Sequence, residues 1–237
     1  MRTLPTVAGV IRRRILVNYR LDPELARRHI PPRFRPKLVD GWGMGGICLI
    51  RLEQMRPKSL PSLMDVASEN ATHRIAVEWD DVDGNVREGV YIHRRDTSSV
   101  VSHLAGGRLF PGELHLARFD VDDQGDTVNV LVKSEIATIH VRGHVASSLP
   151  ETSVFSTPDE ASRFFENGSV GYAPRSRDDQ LDAVRLDVRH WAASPLAIDE
   201  IQSTFFDDPA LFPAGAAVLD SAMIMRNIDH EWHVLPA

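Results

Sequence analysis

The chain has 237 residues, 43% of them hydrophobic and 25% charged, with a formal net charge of -6. That is enough apolar material for a globular core without staples, and no basic run is long enough to track a phosphate backbone, which argues against nucleic acid as a partner. The one cysteine, Cys48, rules out an intrachain disulfide, and no apolar stretch has the length of a secretory signal or membrane span, so a cytoplasmic protein without membrane contact is expected.

In chain order, residues 11 to 20 read as a strand with Arg12, Arg13 and Arg14 set among Ile11, Ile15, Leu16 and Val17. Asp22 caps a short helix with Pro23 in its first turn, and Pro31-Pro32 end it. Gly41 to Gly46 carry a G-x-G-x-x-G spacing, but the glycines open a strand-like run, Ile47 to Leu52. A dinucleotide site needs them to follow a strand and open a helix, so close strand packing is the better reading. In that run Cys48 reads as a small buried hydrophobe rather than a nucleophile. A loop spans Met55 to Asp65, and Ala71 to Trp79 form a strand that turns at Asp83-Gly84. A further pair runs from Leu114 to Val121 and returns through Val128 to Val132; residues 136 to 145 follow as a strand. Thr157-Pro158-Asp159-Glu160 is a capping box that opens a helix. Residues 182 to 191, 195 to 206 and 216 to 226 are again strands, with a loop from Asp207 to Pro213. The expectation is one domain, residues 1 to 237, of the α+β class and mostly β. Its large, mostly antiparallel sheet curls into a barrel or cone with a few short flanking helices.

The stretch from Arg87 to Ser99 carries charge where a strand should carry core. By strict alternation Glu88, Val90, Ile92 and Arg94 share one side, and Arg87, Gly89, Tyr91, His93 and Arg95 the other. Asp96 or Thr97 then caps a helix with Val100 and Val101 on its apolar positions, stopped by Gly106-Gly107. Taken alone this is a solvated edge strand; with Arg12 in the first strand and Glu69 after the loop it becomes the wall of an anion-accepting pocket, because charges inside apolar strands are costly unless paired. Arginine suits carboxylates through its fork of donors. His230 and His233 point opposite ways on a strand, so no metal site is expected, and no motif implies a cofactor.

The runs from Arg12 to Arg20, Pro36 to Gly43, Ser68 to Ala71, His73 to Trp79, Arg87 to Ser99, Phe205 to Pro209 and His230 to His233 resemble the YqjF-like proteins, a bacterial family in the acetoacetate decarboxylase-like superfamily. The resemblance implies a cone-like β-barrel with an internal pocket. The decarboxylase carries an Arg-Glu pair, five residues, then two lysines, the first of which forms a Schiff base. Here Arg87-Glu88 are followed at that spacing by Arg94-Arg95. The resemblance further implies that Arg12 contacts a substrate carboxylate and that Glu69 is a pocket acid. Guanidinium is not a competent amine nucleophile at neutral pH. The expected function is therefore binding of a small carboxylated metabolite by Arg12, Arg94 and Arg95. The alternatives are a non-imine lyase, isomerase or hydrolase using Glu69 or Glu88 as acid or base, and a structural or partner-binding barrel. Any of these is compatible with a homo-oligomer.

Overall fold

The computed structural model describes residues 6–59, 67–105, 113–175 and 180–235. Its elements in order are β1 (Val7–Leu21), α1 (Pro23–Arg28), β2 (Arg35–Pro36), β3 (Leu38–Val39), β4 (Trp42–Pro57), β5 (Ser68–Asp80), β6 (Val86–Thr97), α2 (Val100–Ala105), β7 (His115–Leu116), β8 (Arg118–Gln124), β9 (Thr127–Lys133), β10 (Thr138–Val145), α3 (Pro158–Asn167), β11 (Val170–Pro174), β12 (Leu181–Val188), β13 (Ser194–Ser203) and β14 (Ala217–Leu235). The protein is mostly β, as its pattern of short apolar runs and turn signals indicates.

The strands β1–β4–β5–β6–β11–β12–β14 lie side by side, and β14 pairs back onto β1 from Val7↔Trp232 to Leu21↔Ala217. The sheet is thereby closed into a ring without free edges there. Pairing is antiparallel except where β6 meets β11 and β7, which run parallel to it. From β14 a second sheet, β13–β10–β9–β8, branches off and folds over the ring. Two cores result. The outer one packs Ile15, Val17 and Tyr19 against Val128, Val130, Val141 and Leu196 of the second sheet and against Phe205, Phe206 and Phe212. The inner one fills part of the barrel with Ile11, Leu16, Met44, Met223 and Met225, and Phe155, Ala161 and Phe165 close it from the α3 side.

Local chemistry accounts for the joints. Asp22 accepts from the backbone N–H groups of Glu24 and Leu25 at the start of α1, and Thr157 accepts from that of Glu160 at the start of α3, while the Glu160 carboxylate accepts from Ser156 N–H. Gly84 turns β5 into β6 in the left-handed region that the Asp-Gly pair predicts. The helix after β6 starts differently from expectation: Ser99 Oγ, not Asp96 or Thr97, accepts from the Ser102 N–H, because Asp96 is occupied by Arg94. Val100 and Val101 of that helix face solvent rather than core. Gly106-Gly107 and residues 60 to 65 of the predicted loop lie outside the described residues, and β4 runs on to Pro57. No described helix is long and apolar enough to cross a membrane.

Register shifts interrupt the ring at several places, and two of them bear on the cavity. In β1 the pairing with β4 steps from Ile11↔Leu52 to Arg13↔Arg51, and with β14 from Ile11↔Ile228 to Arg13↔Arg226, leaving Arg12 unpaired. The partner strand β14 skips Asn227 at the same place, with that residue at φ 55. In β6 the pairing with β5 steps from Ile92↔Arg74 to Arg94↔His73, leaving His93 over. Each extra residue reverses the inside–outside alternation beyond it.

The glycines of β4 serve strand packing. A Cβ on Gly46 would lie 2.2 Å from the Val17 carbonyl oxygen. Backbone cannot yield as a flexible side chain can, so Gly46→Ala should cost about 1–3 kcal/mol, measured as a lower urea midpoint at unchanged m-value.

Candidate functional site

The bulges decide which arginines enter the barrel. Of the three in β1, Arg12 is exposed and paired with Glu53 and Asn227. Arg13 is buried between the layers, with Nη2 2.6 Å from Glu69 and Nη1 3.3 Å from Asp123. Arg14 lines the interior. Of the two at the end of β6, Arg94 lies on the outer side, donating to Asp96 at 2.8 Å and to Ser134 of the β9–β10 turn at 3.1 Å. Arg95, across from Thr72, lines the interior.

The interior is a cavity of about 180 Å³. Its walls are largely apolar: Ile50, Leu52 and Met55 of β4, Val90 and Ile92 of β6, Val184 and Leu186 of β12, and Trp232 of β14. Into this surface β1, β5 and β6 project Arg14, Arg74 and Arg95, and β4 projects Cys48. Among the described residues the lining has a single carboxylic residue, Asp96, and its oxygens already accept from Arg94. Arg14 donates through Nε to Cys48 Sγ at 3.4 Å and lies over the Trp191 ring, leaving Nη1 buried without a partner among the described residues. Arg74, 4% exposed, donates through Nη2 to Asn18 Oδ1 at 2.7 Å and stacks over Phe165; its Nε is likewise unpartnered. Burial lowers the Arg74 guanidinium to about 10, with Cys48 opposing the fall and Arg14 adding to it. Burial brings Arg95 to about 10 as well, against the pull of Asp182. Both remain cations at neutral pH, so the chamber is cationic with apolar walls.

The structure therefore does not gather Arg12, Glu69 and Arg94 around one cavity. The bulge at Arg12 turns Arg14 inward in place of Arg13, and the bulge at His93 turns Arg95 inward in place of Arg94. Glu69 belongs to an ionic strut between the layers, in which Arg13, Asp123 and Arg226 also take part. Burial raises its carboxyl although Arg13 and Arg51 pull it down. For Asp123 burial pushes the same way, but Arg226 and Arg13 outweigh it and hold the group below the usual range. Glu88 pairs with Lys37, which lies over the Phe164 ring. Arg74 was open to the same reasoning that singled out Arg12, a charge within an apolar strand; Arg14 was hidden by the bulge.

His230 and His233 part as alternation requires. His233 pairs with Asp187, whereas His230 is 3% exposed and meets the Trp232 ring edge-on. Among the described residues no three His, Cys, Asp or Glu side chains form a metal-holding group.

The comparisons match this architecture. The model of the DUF2071 family, uncharacterized conserved proteins, matches residues 10–223. No curated protein matches the chain. Acetoacetate decarboxylase from Legionella pneumophila superposes with a TM-score of 0.59 at 15% identity, covering 100% of this chain and 90% of that one. An acetoacetate decarboxylase-like enzyme from Sphingomonas wittichii RW1 does so with 0.59 at 12%, covering 100% and 94%. The enduracididine biosynthesis enzyme MppR, complexed with pyruvate, gives 0.61 at 12%, covering 99% and 89%. The fold is that of the acetoacetate decarboxylase-like proteins.

Burial lowers His230 to about 4, Arg14 adding to the fall, and lowers His73 to about 3, with His93 and Arg94 adding. An unfolded histidine titrates near 6.5, so on acidification the unfolded chain takes up protons that the native one refuses. Stability from these groups is complete above about pH 6.5 and falls as pH drops toward 4, by about 1.4 kcal/mol per pH unit for each histidine. Urea unfolding of His230→Gln against the parent at pH 7, 6 and 5 should show a shallower pH slope in the variant.

Proposed function

The chain belongs to the DUF2071 family, and we propose that it binds a small carboxylated metabolite inside its barrel, on Arg14, Arg74 and Arg95, without Schiff-base chemistry. The observation that carries this reading is the set of three arginines, Arg14, Arg74 and Arg95, in a lining whose one carboxylic residue among the described residues, Asp96, is engaged by Arg94. Guanidinium groups in apolar surroundings are costly, and an anion seated among them would offset their charge. The size of the chamber favours a ligand of a few carbon atoms, since pockets for larger ligands run to about 300–1,000 Å³. Pyruvate in MppR is a carboxylate of that size on the same fold.

Two observations weigh against an imine. The chain has three lysines, Lys37, Lys58 and Lys133, and none lines the cavity. The guanidinium groups that do line it stay protonated at neutral pH and cannot act as amine nucleophiles. Acid–base chemistry through Glu69 or Glu88 gains no support, because both carboxylates are engaged by cations outside the lining.

Calorimetry or thermal shift with pyruvate, acetoacetate and short mono- and dicarboxylates tests the reading. At least one should bind, and Arg74→Met should weaken it by about 10- to 150-fold, the loss of a charge-assisted contact of about 1.5–3 kcal/mol. Arg12→Ala should leave affinity unchanged. Arg74→Met also removes the donor to Asn18 Oδ1, so its affinity loss is read beside the melting temperature of the unliganded variant. Borohydride in the presence of the bound keto acid should add no mass to any lysine. Failure of every carboxylate to bind, or a trapped lysine adduct, overturns the reading.

A further inference from the structure

We propose that the ligand is a monocarboxylate with an apolar tail, of the class of short aliphatic acids, and that the tail lies in a notch of the chamber wall over Gly171. This rests on the carboxylate-binding reading above and deepens it by naming the ligand's other end.

Three adjacent strands build the notch. Val90 of β6, Gly171 of β11 and Val184 of β12 stand side by side, since Gly171 pairs with both valines. All three line the chamber, as does Ile92, the next inward residue of β6. The middle strand brings no side chain to this place. A Cβ on Gly171 would lie 3.0 Å from Ile92 Cδ1 and 3.7 Å from Val90 Cγ2, so the space it leaves open is walled by aliphatic carbon. Val90, Ile92 and Val184 are only partly buried, and among the described residues they pack into neither of the two cores. Aliphatic surface turned into a barrel and left uncovered there is stabilised by an apolar group laid against it.

The inward row of β6 changes character along its length. Past the bulge its next lining residue is Arg95, the cation of that row. Arg95 is across from Thr72 of β5 and Ile92 across from Arg74, so two residues of β5 separate the two levels. At strand rise that is about 7 Å, the length of a short acyl chain. Arg74 itself donates to Asn18 Oδ1 and lies over the Phe165 ring, and the notch is beyond Ile92 from it, on the β11 side. A carboxylate held at the Arg95 end therefore has its tail over Ile92 and the notch. A second charge could not be served there: the side chains of the notch are aliphatic, and the backbones of β11 and β12 are paired with each other.

Calorimetry of the whole chain with acetate, propionate, butyrate and succinate tests the assignment. Affinity should rise about fourfold with each methylene from acetate to butyrate, as expected for methylenes leaving water. Succinate, the same four-carbon chain closed by a second carboxylate, should bind more weakly than butyrate by about tenfold or more. Gly171 is outside the left-handed region, so alanine is free to adopt its backbone. Gly171→Ala fills the notch and should lower butyrate affinity by about tenfold while leaving acetate affinity unchanged. Val184→Ala widens the same place and should move the preference toward longer acids. The two variants part in direction, which a general loss of folding cannot imitate. Succinate binding as tightly as butyrate, or a flat series from acetate to butyrate, overturns the assignment. In that event binding of acetate or pyruvate would show the carboxylate site standing without it, and absence of binding by every acid would remove both.

Discussion

Everything inside this barrel is arranged around the cost of burying guanidinium groups among aliphatic side chains. The two layers handle that cost in opposite ways. Between the ring and the second sheet, each buried arginine has its acid: Arg13 has Glu69 and Asp123, Arg226 has Asp123, and Arg94 has Asp96. There the charges cancel locally and tie β1, β5 and β14 to β8, so the outer face of the ring is both apolar core and ionic strut. Inside the ring Arg14 and Arg74 contact a cysteine, an amide and aromatic faces rather than a carboxylate. One residue type is compensated on one side of the sheet and left uncompensated on the other. Structure alone needs only the first arrangement; the second is a cost to stability that ligand binding can recover.

What makes the division possible is the bulge. A strand that alternated without interruption would send Arg13 inward with Ile11, and Arg94 inward with Ile92 and Val90. Placing one extra residue at Arg12 and another at His93 reverses both outcomes. The displaced His93 is itself used, its ring packing on Phe205 beside His29. The matching skip at Asn227 keeps β14 in step with β1, so the ring closes despite the irregularity.

Much of the fold could be read from local chemistry: the Asp22 and Thr157 caps, the Asp-Gly hairpin between β5 and β6, and the glycines that let β4 approach β1. These depend on a few neighbouring residues and on backbone geometry they dictate. Two things were not legible. The parallel strand β11 is only Val170–Pro174 and gains its place through pairing with distant β6. The bulges carry no residue signature, since Arg12 and His93 are unremarkable as bulge residues, and a one-residue error in parity exchanges every inward side chain for its neighbour. The resemblance to a known family placed the charged residues in the right strands and could not correct for that exchange. Arg74, in contrast, stood in plain view within His73 to Trp79 as a charge in an apolar strand.

The titration behaviour of the interior follows from the same burial. Arg74 and Arg95 lose their protons only near pH 10, and His230 gains one only near pH 4. Across the interval between, the arginine and histidine charges of the barrel interior do not change, whereas an amine tuned for imine chemistry must titrate near neutrality to act at all. With guanidinium groups as its cations, the chamber keeps a positive potential that does not respond to pH over that interval. A fixed potential suits reception of an anion.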